Sequence, residues 1–142
     1  MILRWALMYW KAVSGENSPA RKEILGMASD KIRIKEYLKL VYGVESFGPY
    51  GYQMPNNKNL GKGLFELRDT QKHTRFYYCP SDWFCFDENE PRSVLFLLHV
   101  DTNKDKQAQA IELARKRMKN LKLENILNPE KIRIFKPEGA SK

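Results

Sequence analysis

Cysteine and histidine are scarce in this chain of 142 residues, which has two of each. The cysteines are Cys79 and Cys85 and the histidines are His73 and His99. Their spacing matches no zinc-binding pattern, so we expect neither a metal site nor a fold that depends on one. A disulfide between the two cysteines remains an alternative, but in a reducing cytosol two free thiols are the expected state.

No segment is apolar over enough residues to cross a bilayer. The most apolar candidate is the opening segment, residues 2–10, which is interrupted by Arg4 and is too short to span a membrane. It also has no charged start followed by an unbroken apolar core, as a signal peptide would. We therefore expect a cytoplasmic protein with no membrane partner.

Acidic residues are outnumbered by basic ones, 17 to 25, which gives a formal net charge of +8. Excess positive charge speeds encounters with polyanions, although it can also serve solubility alone. The apolar fraction of 42% and the charged fraction of 30% are typical of a globular domain. The length predicts one domain, residues 1–128, followed by a C-terminal tail, residues 129–142.

Helix signals divide the first third of the chain. Ser18 and Pro19 are a favourable N-cap and first helical residue, and predict a short helix that ends near residue 28. A second helix is predicted to begin at Ser29 or Asp30 and to end before Gly43, a residue type that often follows helices. Together they predict a helical hairpin, followed by a long turn-rich loop over residues 43–63.

Alternating apolar and polar residues predict the strands. These lie at residues 2–10, 64–68, 74–79, 93–100 and 131–135. A last helix is expected over residues 105–124, with an apolar stripe formed by Ile111, Ala114, Met118 and Leu121. Short links between consecutive strands favour antiparallel pairing, so the sequence predicts an α+β fold: an N-terminal strand and helical hairpin, an antiparallel sheet and a C-terminal helix.

The hairpin around residues 70–73 carries the strongest candidate site. If its turn has an even number of residues, Arg68 lies opposite Arg75, and Glu66 lies opposite Tyr77 on the same face. Two adjacent guanidinium groups beside an acid and a tyrosine suit the binding of phosphate oxygens. The alternative is an ordinary charged strand face in water, where ion pairs are individually weak.

Further candidates come from the last strand and its surroundings. His99 can be an acid–base group at the strand end or a core histidine. Lys104 and Lys106 can place cations over a scissile phosphate or merely solvate the start of a helix. Tyr77 and Tyr78 alternate across the sheet, so one of them is expected to be exposed and able to stack on a base. The remaining candidates for RNA binding are Lys62, beside two glycines, and Arg117, on the basic helix.

The order of elements and four strings resemble the RelE/ParE superfamily of type II toxins, in its phage-derived, HigB-like branch. Residues 63–68, GLFELR, resemble that branch's strand of glycine, leucine, an aromatic residue and E-L-R. Residues 74–78, TRFYY, resemble its next strand. Residues 94–99 resemble its apolar strand ending in L-L-H, and residues 110–117 its helix with I-x-x-A-x-x-R. The resemblance covers about residues 3–121.

This resemblance implies a toxin that cleaves mRNA on the ribosome and is silenced by a cognate antitoxin in a hetero-oligomer. It implies a metal-independent endoribonuclease without a cofactor, in which a ribose 2′-hydroxyl attacks the neighbouring phosphate. Carried over, Arg68 and Arg75 would hold phosphate. The proton-transfer and charge-neutralising candidates would be His99, Lys104 and Lys106.

One stretch departs from the family pattern. Members of the family usually follow the L-L-H strand with an aromatic residue and then a lysine pair. This chain has Asp101 near the aromatic position and Asn103 near the first lysine. These replacements favour the alternative hypothesis, a non-enzymatic protein with the toxin fold that inhibits a gyrase or binds an antitoxin or RNA.

Overall fold

The computed structural model describes residues 5–11, 19–27, 29–53, 56–69, 74–81, 93–102, 106–127 and 133–135. The chain has an α+β fold, in which two consecutive helices are followed by four consecutive strands. Their order is β1 (Trp5–Lys11), α1 (Pro19–Gly26), α2 (Lys31–Gly51), β2 (Asn57–Gly61), β3 (Leu64–Arg68), β4 (Arg75–Ser81), β5 (Ser93–Asp101), α3 (Gln107–Leu127) and β6 (Arg133–Phe135).

The six strands form a sheet in the order β2-β3-β4-β5-β1-β6. Strands β2 to β5 are antiparallel neighbours, which confirms the predicted antiparallel pairing of β3, β4 and β5, and β1 joins β5 in parallel. The predicted strand in the tail is confirmed as β6, which pairs antiparallel with β1. Residues 133–135, which fall within the predicted tail, therefore extend the sheet.

Both faces of the sheet are covered, and each has its own core. Helices α1 and α2 pack on one face, and α3 packs on the other. Three residues of the predicted stripe on α3, Ala114, Met118 and Leu121, are buried. The prediction that either Tyr77 or Tyr78 is exposed is wrong, because both are 0% exposed. A sheet covered on both faces buries both sides of its central strands.

Helix α2 begins after the predicted N-cap, Asp30, whose side chain accepts the backbone N–H groups of Ile32 and Arg33. Its predicted end at Gly43 is wrong, since the helix continues past this residue to a kink at Gly48, where φ is 78°, and a last turn then reaches Gly51. The ring of Tyr52 packs directly against Gly43, where a Cβ atom would overlap the ring. The glycine marks a close contact rather than a helix end.

The predicted loop at residues 43–63 is also wrong in its second half, which contains the edge strand β2. Asn57 fixes the start of this strand: its Nδ2 donates to the carbonyls of Pro49 and Tyr52, each at 2.8 Å. Its Oδ1 accepts the Tyr78 hydroxyl at 2.6 Å. Two of the glycines that suggested a loop, Gly61 and Gly63, instead close the β2–β3 turn with φ angles of 91° and 84°.

Within the described ranges, none of the helices combines the length and the apolar character needed to pass through a bilayer.

Candidate functional site

The sheet face beneath α3 carries a first row of charged residues across three strands. Arg68 of β3 lies opposite Arg75 of β4, as predicted, and Arg75 lies opposite Asp101 of β5. Directly opposed residues in antiparallel strands share a face. The two arginines nevertheless differ, because Arg68 is exposed and Arg75 is only 5% exposed.

Arg75 is committed to the protein interior. Its Nε lies 4.0 Å from Oε1 of Glu66, whose side chain is buried as well. Glu66 also accepts a hydrogen bond from Gln107 Nε2 at 3.3 Å, which ties the start of α3 to the sheet. Within the described residues, Nε and Nη1 of Arg75 have no hydrogen-bond partner. Of the predicted phosphate-binding pair, only Arg68 is therefore presented at the surface.

A second row lies one step along the strands and consists of Glu66, Tyr77 and His99. The rings of Tyr77 and His99 are stacked, with centroids 6.0 Å apart and planes at 12°. Burial, and then the negative charge of Glu66, raise the pKa of the Tyr77 hydroxyl far above its usual value. Tyr77 thus keeps its proton, and its burial speaks against the predicted stacking on an RNA base.

His99 is held by a carboxylate from a distant part of the chain. Its Nδ1 lies 2.7 Å from Oε2 of Glu23 on α1. The other carboxylate oxygen, Oε1, accepts the backbone N–H of Val100 at 3.1 Å and Nη1 of Arg117 at 3.0 Å. Arg117 also donates to the Leu98 carbonyl at 2.9 Å. One carboxylate therefore joins α1, β5 and α3.

The protonation of this cluster follows from its contacts. Burial by itself would raise the pKa of Glu23, but the hydrogen bond from His99, together with the hydrogen bond and positive charge of Arg117, holds it below its usual value of 4.5. An ionised carboxylate only accepts hydrogen bonds, so the proton in the short contact lies on Nδ1 of His99. The 3.2 Å approach of Arg117 Nη1 to that nitrogen is then a contact between two donors.

Two cavities flank the contact between Glu23 and His99. The first has a volume of about 170 Å³ and is lined by His99, Asp101, Lys106, Gln109, Ala110 and Leu113. The second, of about 410 Å³, lies on the α1 side and includes Glu23, Arg33 and Val100 in its wall. His99 and the predicted lysine Lys106 therefore meet at one cavity.

The other predicted site residues lie elsewhere or are already engaged. Lys62 is exposed in the β2–β3 turn, at the opposite end of β3 from Arg68 and on the order of 13 Å away. Nη1 of Arg117 is used within the protein, which speaks against its predicted contact with RNA. Lys104 and His73 lie outside the described residues.

Sequence reasoning missed Glu23 as a functional residue. It lies 76 positions from His99 on a helix whose amphipathic pattern says nothing of a partner. Asp101 was noticed only as a departure from a family pattern. Its spacing of two residues from His99 on one strand is a signal that places both on one face.

Chemically, the cavity brings together an imidazole, a carboxylate and an ammonium group, with an exposed guanidinium one strand beyond Arg75. Such a set can exchange a proton and stabilise negative charge on a bound phosphate. Cys79 is buried and free, and burial raises its pKa to about 12, so its thiol stays protonated and does not add nucleophilic chemistry. Searches of protein-family models, curated proteins and solved structures found no match to this chain.

Proposed function

We propose that this chain is a metal-independent endoribonuclease that cleaves mRNA on the ribosome, inhibits translation and is neutralised by a cognate antitoxin. The observation that carries the proposal is the meeting of His99, Asp101 and Lys106 at one cavity. The exposed Arg68 on the same sheet face, the net charge of +8 and the resemblance of four strings to HigB-like toxins support it.

The reaction needs a base, an acid and a cation. The base removes the proton of a ribose 2′-hydroxyl, whose oxygen bonds to the adjacent phosphorus. The bond to the 5′-oxygen then breaks, that oxygen takes a proton from water, and a 2′,3′-cyclic phosphate remains. In this proposal His99 is the base, because its Nδ1 is already protonated and its ring lines the cavity.

Positive charge must also meet the phosphate as its oxygens become more negative. Lys106 is exposed at the cavity rim, and Arg68 is the outermost residue of the charged row. Arg75 is buried against Glu66 and offsets the negative charge of that carboxylate. In this proposal Arg75 is a positioning residue. Asp101 lies opposite Arg75 and shares the cavity wall with His99.

The cavity is too small to enclose a whole substrate and instead fits part of a substrate that another molecule holds in place. Its volume of about 170 Å³ is below the ~300–1,000 Å³ of pockets that surround a small ligand. It can receive a phosphate and part of a ribose, while the rest of the strand lies across the surface. Selection of the cleaved bond would then come from the ribosome that holds the mRNA.

An in-vitro translation reaction tests the proposal. Wild-type protein is expected to stop synthesis and to leave cut mRNA, which primer extension detects. We expect His99→Ala and Arg68→Ala each to lower cleavage by about 100-fold or more. Lys39→Ala, which removes an exposed cation from α2, is the matched control and should act like wild type. Intact mRNA and unchanged translation at high protein dose would contradict the proposal.

One observation favours a non-enzymatic alternative. Arg75 and Arg117, two of the cations predicted to contact RNA, are engaged inside the protein, and Asn103 replaces a lysine of the family pattern. A gyrase inhibitor or an antitoxin-binding protein would need the fold but not the cavity. Inhibition of gyrase supercoiling, together with intact mRNA in the translation assay, would identify this alternative.

A further inference from the structure

We propose that Glu23 is a positioning residue for His99: it fixes the imidazole in the tautomer with the proton on Nδ1 and leaves Nε2 as the basic nitrogen. The tautomer follows from the contacts described above and stands on its own. Its consequence for catalysis rests on the proposed endoribonuclease function. No catalytic contact of Glu23 with substrate is required, because the carboxylate acts through the histidine.

Three donors from two other elements converge on the Glu23 carboxylate. Oε2 faces Nδ1 of His99 at 2.7 Å, and Oε1 accepts both Val100 N–H and Arg117 Nη1. Two of these donors, a peptide N–H and a guanidinium, cannot exchange roles and become acceptors. They therefore orient the carboxylate. Among the described residues, the other oxygen, Oε2, is left to accept a hydrogen bond from the third donor, Nδ1–H of His99.

The opposite edge of the imidazole is left for chemistry. Nε2 makes no hydrogen bond to the described part of the chain, and the ring lines the 170 Å³ cavity with Asp101 and Lys106. Stacking on Tyr77 fixes the ring plane, since the two planes differ by only 12°. With Nδ1 engaged and the plane fixed, Nε2 has a single orientation, which is the condition for efficient proton transfer.

Glu23 also has a structural role that the test must separate. The paired residues of β1 and β5 end at Phe96, and Glu23 satisfies the N–H of Val100 beyond that point. If Glu23 served only to accept this backbone N–H at the edge of β5, Glu23→Gln would change the stability of the protein. It would not predict which nitrogen of His99 carries the proton. The tautomer is therefore the readout that a structural role alone does not change.

Glu23→Gln gives a directional test. The glutamine carbonyl can replace Oε1 and keep the bonds from Val100 and Arg117. The amide nitrogen then replaces Oε2 and donates to His99, so Nδ1 becomes the acceptor and the proton moves to Nε2. We expect imidazole ¹⁵N and ¹³C chemical shifts to report the Nδ1–H tautomer in wild type and the Nε2–H tautomer in the variant.

Glu36→Gln, which removes a carboxylate from α2, is the matched control and should leave the His99 signals unchanged. The wild-type spectrum is decisive even if Glu23→Gln fails to fold. An Nε2–H tautomer in the wild-type protein, recorded at a pH where His99 is neutral, would overturn the proposal. So would wild-type signals in a folded Glu23→Gln protein.

Steady-state kinetics of mRNA cleavage then separate positioning from substrate binding. We expect Glu23→Gln to lower kcat by at least about 10-fold with KM nearly unchanged, because the carboxylate only orients the base. If His99→Ala loses cleavage while Glu23→Gln retains it, the positioning role is wrong and the endoribonuclease stands. If wild type cleaves nothing, the endoribonuclease is wrong, and the tautomer is still tested by the spectra.

Discussion

Two arginines on neighbouring strands, Arg68 and Arg75, lie directly opposite each other in different surroundings. Arg68 ends its strand and is exposed, whereas Arg75 begins its strand beneath α3 and contacts the buried Glu66. The same residue type therefore serves two purposes one strand apart. Arg68 can meet a ligand from solvent, and Arg75 offsets the charge of a carboxylate that is 1% exposed.

Because of this difference, we expect the same substitution to change the free energy of unfolding by very different amounts at the two positions. Arg75→Ala leaves the Glu66 carboxylate buried without its cation, so we expect the free energy of unfolding to fall by ~3 kcal/mol. Arg68→Ala removes an exposed side chain and should change it by less than ~0.5 kcal/mol while lowering mRNA cleavage. Urea denaturation followed by circular dichroism measures both.

A second substitution identifies the cause of the loss in Arg75→Ala. Glu66→Gln in that background removes the unpaired charge, and we expect it to restore part of the lost stability. Equal unfolding free energies for Arg68→Ala and Arg75→Ala, or no recovery in the double variant, would show that the contact between Glu66 and Arg75 does not stabilise the fold.

Helix α2 gives the clearest prediction for a whole element, since its path depends on Gly43. Alanine is the better helix former, by about 1 kcal/mol, so propensity alone predicts that Gly43→Ala stabilises the protein. The Tyr52 ring lies where the new methyl group would be, and overpacking of this kind costs about 1–3 kcal/mol. We expect net destabilisation, measured by thermal unfolding.

Gly26 and Tyr52 supply the controls for this prediction. A Cβ atom at Gly26, the last residue of α1, would meet nothing within 4 Å, so Gly26→Ala should be neutral or stabilising. In a Tyr52→Ala background the ring is gone, and Gly43→Ala should change sign and become stabilising. Destabilisation by Gly43→Ala that persists without the ring would exclude the packing explanation.

The elements predicted correctly are those whose signals are local. Alternation located β3, β4 and β5, the N-cap located the start of α2, and a spaced apolar stripe located α3. The errors share a different cause. Gly43 and the glycines near position 61 were interpreted as breaks, whereas Gly43 accommodates the ring of Tyr52, nine residues further along the chain, and Gly61 closes a hairpin. Those interactions depend on tertiary contacts that propensity does not contain.

At the scale of the whole molecule, the fold brings two distant segments, β5 and α3, to Glu23, and acid stability should depend on this convergence. The pKa of Glu23 is lowered in the folded protein, so its ionised form stabilises the fold at neutral pH. That contribution is present above the ordinary value of 4.5 and is lost as the pH falls through the lower folded value. Wild type should therefore lose stability in acid partly through this one group.

Urea midpoints of wild type and Glu23→Gln, measured from about pH 7 to about pH 3, test this expectation. Glutamine does not titrate, so we expect wild type to be more stable at neutral pH and its advantage to shrink in acid. Glu36→Gln serves again as control and should follow wild type across the range. A constant difference between wild type and Glu23→Gln at all pH values would contradict the expectation.

By itself, the sequence determined the α+β class, most strands and the opposition of Arg68 and Arg75, because alternation and turn length act over a few residues. It could not decide that Arg75 is buried, that Arg117 is engaged, or that Glu23 meets His99. Those outcomes depend on where α1 and α3 dock on opposite faces of one sheet. Docking is decided by contacts between segments many residues apart, so only the tertiary structure shows which of the candidate residues share a site.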